Sequence, residues 1–298
     1  MRCRDIVAVG WLVLLFPLYA GRAGEEAAEP APVPSGDPEA AGEEALWFPV
    51  GESIEYLIYW GKIPVARSTA STEWVEEDGR RLLAIRFRTK SNRVIGTIYP
   101  VDDFIESIID PKTFLPVRFT KQLSEGRYRC DETTTFDHEA GKAILKNQLR
   151  GTTLEYEIDD ETRDLVSFMY SLRTAEFPVG DTQTFRVMAD EKLYDLEVTS
   201  RKTQRIKLPR YGKVESVMLE PAASFQGLFV RKGKMTLWVS EDERRLITRA
   251  DIQVPVADVH LILQDVDGPG EDDWVADDKE KKTSSRSSRH GGRRGRSR

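Results

Sequence analysis

Alternation of apolar and polar residues at a period of two most constrains what this chain can fold into. The segment "ESIEYLIYWG" places Ile54, Tyr56, Ile58 and Trp60 on one face. About a dozen further segments repeat the pattern, among them "RRLLAIRFRT", "PVRFTKQL", "KLYDLEVTS", "KMTLWVSED" and "ADVHLILQDV". Period two is the side-chain repeat of a strand with one buried face. The chain is therefore predicted to be mainly β.

Turn-forming pairs separate these segments at short intervals. Examples are Asp78-Gly79, Asp110-Pro111, Glu125-Gly126 and Ala140-Gly141. Such pairs are typical of tight turns between antiparallel strands. The prediction is a large curved antiparallel sheet or a partly closed β-barrel.

Two stretches favour a helix instead. The main α-helix is expected over about 160–177, in "DDETRDLVSFMYSLRTAEF", with Asp160 as its N-cap. Its apolar residues recur at spacings of three and four: Leu165, Phe168, Met169 and Leu172. A short helix is expected over about 91–99, in "SNRVIGTIY", at one end of the sheet.

Two short phrases are each written twice. "FPVGE" at Phe48–Glu52 recurs as "FPVGD" at Phe177–Asp181, and "KIPVA" at Lys62–Ala66 recurs as "QVPVA" at Gln253–Ala257. Proline does not donate to a ladder and glycine permits a tight turn. The first phrase is therefore predicted to introduce a run of strands, with its terminal acid at an exposed strand edge. The second phrase is predicted to form corners between strands.

The chain divides into four parts. Residues 1–23 have a positive start and the apolar run "IVAVGWLVLLFPLYA", which predict a signal peptide cleaved after Ala23. A membrane anchor is the alternative, but the run is interrupted by Pro17 and falls short of the ~20 residues that span a bilayer. Residues 24–46 read as a disordered Ala/Pro/Glu linker, 47–266 as one β-rich domain and 267–298 as a disordered tail, acidic and then basic. No transmembrane span is expected after cleavage.

Charge is distributed unevenly along the chain. The net charge is −6, but Lys279–Arg298 carries nine Lys and Arg against one Glu, and residues 1–23 carry a net +2, which leaves −16 on 24–278. An acidic body repels phosphates, so the folded domain is not expected to bind nucleic acid. The basic tail is expected to touch anionic surfaces, or else to act as a solubilising tail.

Catalytic and metal-binding motifs are missing from the sequence. Signal-peptide cleavage removes Cys3, and Cys130 alternates with polar neighbours as a buried strand residue does. The three histidines are scattered, and acidic pairs such as Asp102-Asp103 flank turns. We therefore predict no catalytic residue, no metal and no cofactor, and we expect that the protein is not an enzyme.

A curved sheet with one helix has a concave face that side chains do not always fill. An underfilled β cavity is a ligand site. The expected lining residues are Tyr56, Ile58, Trp60, Phe119, Phe168 and Trp238. A packed core is the alternative for each of them.

Several longer blocks carry a family resemblance. They are "FPVGESIEYLIYWGKIPVARSTA", "DDFIESIIDPKTFLPVRF", "DLVSFMYSLR" followed by "FPVGD", and "LWVSEDERRLITRADIQVPVADVHLIL". In this order they resemble the secreted bacterial family known as domain of unknown function 3108, over roughly Trp47 to Leu263. Ala66 and Ala257 depart from the glycine expected at the family's corners. The resemblance implies an exported, mainly β protein of Gram-negative type and supplies no catalytic residues. The last block is also similar, at the level of fold, to periplasmic lipoprotein carriers, whose half-barrels hold acyl chains.

Three functions stay open at this point. The first is a periplasmic or secreted protein that binds an amphipathic ligand, a lipid or an envelope glycolipid, in a β cavity. The second is an envelope scaffold or protein-interaction domain with a filled core and no ligand. The third is a hydrolase with a scattered site. A solvent-open apolar cavity would separate the first from the second.

Cleavage after Ala23 is directly testable. The small residues Gly21 and Ala23 sit at the offsets that signal peptidase requires. N-terminal sequencing of the exported protein is expected to start at Gly24. A sequence that starts at Met1 would favour the membrane anchor.

Overall fold

The computed structural model describes residues 46–174, 176–189, 191–225, 228–229, 235–253 and 258–269. The predicted signal peptide, nearly all of the linker and the basic tail lie outside these residues. The predicted fold class is confirmed, because within these residues fifteen strands form one curved antiparallel sheet with one α-helix and one 3₁₀ turn.

Two meanders make up the sheet. The N-terminal meander contains β1 (Ser53–Trp60), β2 (Ile63–Glu77), β3 (Arg80–Ser91), β4 (Asp102–Asp110), β5 (Leu115–Glu125), β6 (Tyr128–Asp137), β7 (Lys142–Asn147) and β8 (Thr152–Glu157). The helix α1 (Leu165–Ser171) follows. The C-terminal meander contains β9 (Thr182–Ala189), β10 (Lys192–Leu208), β11 (Gly212–Phe225), β12 (Leu228–Phe229), β13 (Met235–Ser240), β14 (Ile247–Ile252) and β15 (Val259–Asp267). The 3₁₀ turn (Ile95–Thr97) joins β3 to β4.

Pairing between the first and last strands joins the meanders. β15 pairs with β1 along its whole length, from Ser53 opposite Asp267 to Trp60 opposite Val259. The edges of the sheet are β8 and β9, which are consecutive in sequence and do not pair with each other in the described residues. β10 nevertheless touches β14 and β15, so the sheet is strongly curled. It is a curved sheet that is not closed into a barrel.

Up-and-down connectivity sorts the turns onto two ends of the sheet. We call the end that carries the β1–β2, β3–β4 and β5–β6 turns the distal end. The proximal end carries the β2–β3, β4–β5 and β13–β14 turns together with the residues that precede β1 and β9. Both chain termini of the described domain lie at the proximal end, because β1 begins there and β15 ends there.

α1 lies inside the curled sheet. Val166 through Ser171 are all buried. Val166 and Tyr170, four residues apart, pack against the N-terminal meander in a cluster with Leu83, Ile85 and Ile105. Phe168, Met169 and Leu172 pack against the C-terminal meander in a cluster with Val198, Leu219 and Leu237. A helix that is apolar all round is expected where it is buried on all sides, so α1 is the shared core of the two meanders.

Both helices are shorter than the sequence predicts. The main helix covers Leu165–Ser171 instead of about 160–177, and its N-cap is Asp164 instead of Asp160. The reason is local, because Thr162 donates to Asp159 in a tight turn and Arg163 pairs with β9 through Arg186 and Met188. The expected helix at 91–99 is only the 3₁₀ turn, which the Asn92 side chain starts by accepting from the backbone of Val94 and Ile95.

The repeated phrase FPVG forms the same turn twice. Gly51 and Gly180 have φ of +103° and +95°, which other residues rarely adopt. Gly51 N donates to Thr72 O at 3.0 Å, and Gly180 N donates to Ser200 O at 2.9 Å. The return bonds match as well, from Thr72 N to Glu52 O and from Ser200 N to Asp181 O. Each phrase leads directly into β1 or β9, which confirms that it introduces a run of strands.

The end of each phrase departs from the prediction. Glu52 was expected at an exposed strand edge, but it is fully buried, whereas Asp181 is half-buried. The second repeated phrase forms the β1–β2 corner at its first occurrence. At its second occurrence, Val254–Ala257 lies outside the described residues.

A helix that serves as the core makes its central side chain important for stability. Phe168 is fully buried, so Phe168→Ala removes a large side chain from a packed site and leaves a cavity. The free energy of unfolding is expected to fall by about 3–5 kcal/mol, measured by urea denaturation. Val179→Ala, at an exposed residue, is the control and is expected to change it by less than about 0.5 kcal/mol. Equal effects of the two variants would contradict the position of α1.

Candidate functional site

Charged residues fix both ends of α1 inside the sheet. At its start, the Asp164 carboxylate accepts from Ser167 N at 2.7 Å, which caps the helix. The Ser107 hydroxyl of β4 donates to the same carboxylate. The side chain is 1% exposed. Burial raises the pKa of Asp164 from 3.8 to about 6, although these hydrogen bonds oppose the shift.

At the other end of α1, Arg173 forms a buried ion pair with Glu52. Its guanidinium donates to both carboxylate oxygens of Glu52. Arg244, in the β13–β14 turn, donates to Glu52 Oε2 at 2.8 Å. Arg173 also donates to the Arg244 carbonyl at 3.3 and 3.4 Å. One carboxylate therefore joins the start of β1, the end of α1 and the β13–β14 turn.

Aromatic rings enclose this charged group. The Arg173 guanidinium lies 4.8 Å from the ring centroid of Phe48 and 5.0 Å from that of Tyr170. Burial lowers the pKa of Arg173, but the Glu52 carboxylate outweighs it, so the pKa is raised overall. Burial also raises the pKa of Tyr56 and Tyr170. Glu52 is therefore held beside a permanent cation, an arrangement suited to structural support.

Beside this group, the described residues enclose a small cavity. Its lining residues are Ile54, Tyr56, Ala70, Phe87, Met169, Tyr170, Arg173 and Ile247. Its volume is about 10 Å³, which is about the space that one water molecule needs. Pockets for small molecules have volumes of about 300–1,000 Å³. An acyl chain does not fit into this cavity.

The six residues expected to line a ligand cavity lie in different places. Tyr56 and Trp238 share one buried cluster, and only Tyr56 borders the cavity. Phe168 is the core of α1, and Ile58 packs with Val65 at the distal end. Phe119 is half-buried between two other clusters. Trp60 is 37% exposed at the end of β1, so these residues do not form a common wall.

A buried pair of acids lies near the distal end. Asp103 and Glu125 are both buried, and Ser124 N donates to Asp103 at 2.9 Å. Burial raises the pKa of Asp103 to about 6. In the part of the chain that the structure describes, no group of three or more His, Cys, Asp and Glu side chains is arranged to hold a metal ion.

Sequence reasoning missed the buried ion pair. Arg173 and Arg244 were not singled out, and Glu52 was predicted at an exposed strand edge, because no local pattern indicates which charges pair in the interior. The one available signal was the FPVG phrase. The structure gives its two copies the same turn, while the acid that ends the first copy is buried and paired.

The raised pKa of Asp164 has a measurable effect on stability. A carboxyl group with a folded-state pKa above its unfolded value stabilises the protein at low pH, and this contribution is lost as pH rises through the folded pKa. Asn caps a helix about as well as Asp, so Asp164→Asn keeps the cap and removes the charge. As pH rises from about 4 to about 6, the free energy of unfolding of the variant is expected to increase by about 3 kcal/mol relative to that of the original protein.

Chemical denaturation at a series of pH values measures this difference. Val179→Ala, at an exposed residue, is the control, since it leaves Asp164 and its hydrogen-bond partners in place. A difference between Asp164→Asn and the original protein that stays constant from pH 4 to pH 7 would contradict the prediction.

Two solved structures of low sequence identity are among the proteins similar to this chain. A beta-barrel-like protein of domain of unknown function DUF1849 from Brucella abortus is 12% identical, with a TM-score of 0.49 over 73% of this chain and 97% of that chain. A protein with a YmcC-like fold from Bacteroides fragilis is 8% identical, with a TM-score of 0.32 over 74% of this chain and 97% of that chain. A comparison with curated proteins finds no match. The family model described as "Protein of unknown function (DUF3108)" matches residues 55–264, and the chain therefore belongs to the DUF3108 family.

Proposed function

We propose that this is an exported cell-envelope protein without catalytic activity, whose filled domain is a scaffold that binds its partners on the outside. The filled interior is the observation that carries this proposal. Among the described residues, α1 occupies the space inside the sheet, and the cavity beside Arg173, of about 10 Å³, is far below the size of a ligand pocket. Of the functions that the sequence leaves open, the scaffold fits this geometry best.

A lipid carrier would require α1 to leave the sheet. Exposing Phe168, Met169 and Leu172 would cost about 1.5–3 kcal/mol each. Leaving Glu52 buried without Arg173 would add about 3–5 kcal/mol. The sum is on the order of 10 kcal/mol, within the 5–15 kcal/mol of a typical domain's whole stability. An acyl chain contributes about 0.8 kcal/mol per CH₂ and also has to offset the cost of association.

The buried ionisable groups support a structural role over a catalytic one. Asp164 caps α1, and Glu52 pairs with two arginines. His260 Nδ1 lies 2.9 Å from Asp251 Oδ1 on the neighbouring strand, and Asp251 also accepts from Arg249. Each group has partners that account for its position, which favours a scaffold over a hydrolase.

Export is supported by the sequence at the N-terminus. The positive start, the apolar run and the small residues before Gly24 are typical of a secretory signal peptide. Within the described residues, no helix is long and apolar enough to cross a membrane. The proposed location is the periplasm or the exterior of a Gram-negative cell.

Native mass spectrometry of protein purified from the periplasm tests the filled core. The expected result is the mass of the mature chain alone, with no bound lipid at one-to-one stoichiometry. A fluorescent fatty-acid displacement assay with the delipidated protein should likewise give no saturable binding. Phe168→Ala opens space in the core and is the matched positive control, because it shows whether the assay detects a probe that enters a cavity. Saturable binding to the unaltered protein would overturn the scaffold and restore the carrier.

A further inference from the structure

The distal end of the sheet exposes large apolar side chains. Trp60 and Ile63, at the β1–β2 turn, are 37% and 61% exposed. Val94 and Ile98, on either side of the 3₁₀ turn, are 73% and 81% exposed. We call these four residues the distal patch. Single exposed apolar residues are ordinary, but a group of them at one place marks an interaction site.

Hydrogen bonds place these two turns side by side. Asn92, at the start of the 3₁₀ segment, donates from its backbone to Val65 O at 2.9 Å and from its side chain to Pro64 O. Ile95 and Tyr99 then pack against Ile58 and Val65. The apolar residues that point inward from the 3₁₀ segment thus anchor it to β1 and β2. Val94 and Ile98 are the residues left exposed on the same segment.

The β5–β6 turn extends the same surface. Gly126 N donates to Pro100 O at 2.7 Å, directly after the 3₁₀ segment. The Tyr99 ring lies so close to Gly126 that a Cβ there would come within 2.7 Å of it. The three turns are therefore fixed against each other and present one surface.

Basic residues surround the distal patch. Lys62, Arg93 and Arg127 are exposed on the three turns, and Arg129 is exposed at the start of β6, where its guanidinium donates to the Gly126 and Tyr128 carbonyls. Glu125, at the end of β5, is buried, and the exposed Asp102, at the start of β4, pairs with Lys90. The exposed Asp258 borders the patch on the side of β15. This local excess of positive charge contrasts with the net −16 of residues 24–278. Exposed aliphatic and Trp side chains ringed by Lys and Arg match the requirements of an anionic membrane surface.

We propose that the distal patch docks the domain on a lipid bilayer that carries anionic head groups. Trp60, Ile63, Val94 and Ile98 enter the head-group and upper acyl region, while the four basic residues lie at the level of the phosphates. A protein partner of standard size contacts about 20–30 residues on each side, far more than four side chains at the tips of turns. The proposal builds on the scaffold's external binding and adds the surface to which it binds.

The patch also lies away from the chain termini. β1 and β15 run side by side, and the ends from which the linker and tail depart are opposite the Trp60–Val259 pair. Gly268 and Pro269 contact Gly51 at the proximal end. The described segments nearest to the termini therefore do not cover the distal patch.

Vesicle sedimentation with the full mature chain tests the docking. Vesicles of phosphatidylethanolamine with phosphatidylglycerol are compared with vesicles of phosphatidylcholine alone. Val94→Ser combined with Ile98→Ser is expected to weaken binding to the anionic vesicles about tenfold. Lys62→Gln combined with Arg93→Gln is expected to weaken it roughly 25-fold, since each basic residue near such a surface contributes a factor of about five. The basic tail stays intact in all variants, so these differences belong to the patch.

Matched controls come from the proximal end. Val179→Ser replaces an apolar residue that is 61% exposed, and Lys112→Gln replaces an exposed lysine. Both are expected to bind the vesicles as the original protein does. All variants are expected to melt at the same temperature, because the substituted side chains are exposed.

A site-specific probe separates docking by the patch from attraction by the tail. Ile98→Cys is labelled with an environment-sensitive fluorophore, with Val179→Cys as the comparison, and Cys130 is buried. Anionic vesicles are expected to shift the emission at residue 98 to the blue and to leave that at 179 unchanged. Equal vesicle binding by the patch variants, or no blue shift at residue 98, would overturn the proposal.

Two further outcomes also distinguish the alternatives. A dimer in size-exclusion chromatography that Val94→Ser with Ile98→Ser converts to a monomer would make the patch a self-interface and overturn membrane docking. Lipid that stays with the protein after its separation from vesicles would contradict the filled core without touching the docking result. Failure of the scaffold and failure of the docking are thus read in different experiments.

Discussion

The ion pair between Glu52 and Arg173 determines how this domain is assembled. It lies in the interior, and its members are 121 residues apart in sequence. A buried carboxylate without a partner is strongly destabilising, so the start of β1, the end of α1 and the turn that carries Arg244 have one mutually compatible arrangement. Asp164 fixes the other end of α1 to β4 through Ser107. Because both of its ends are fixed, α1 has a defined position inside the curled sheet, and the two meanders pack against its opposite faces.

The helix also accounts for the opening in the sheet. β8 and β9 would be neighbours in an up-and-down barrel, but the chain between them turns inward as α1. A closed barrel of so many strands has an interior that side chains alone do not fill. α1 supplies the missing volume, and its entry leaves the edges of β8 and β9 apart. The open sheet and the packed space around α1 therefore have the same cause, the entry of α1 between β8 and β9.

Local patterns in the sequence predicted the strands. The features that these patterns missed depend on contacts between residues that are far apart in the sequence. Period two identified β1, β3 and β10, and the FPVG phrases marked the entries to both meanders. The main helix was predicted too long because Asp159–Arg163 could satisfy a helix pattern, yet these residues turn tightly and pair with β9. Glu52 was placed on an exposed edge because no local signal indicates Arg173. Trp60 shares the parity of Ile58, but it lies at the exposed end of β1, past a register shift against β2.

The two ends of the sheet depart from the usual pattern in which charged residues are exposed and apolar residues are buried. At the proximal end a charged group, Glu52 with Arg173 and Arg244, is buried under aromatic rings. At the distal end apolar side chains are exposed beside basic ones. The first arrangement is stable because every charge has a partner inside the domain. In the second arrangement the apolar side chains stay exposed, and the packing of Tyr99 on Gly126 shows that the turns themselves are held firmly. The buried charged group and the exposed apolar side chains therefore lie at opposite ends of β1, which begins at Ser53 next to Glu52 and ends at Trp60.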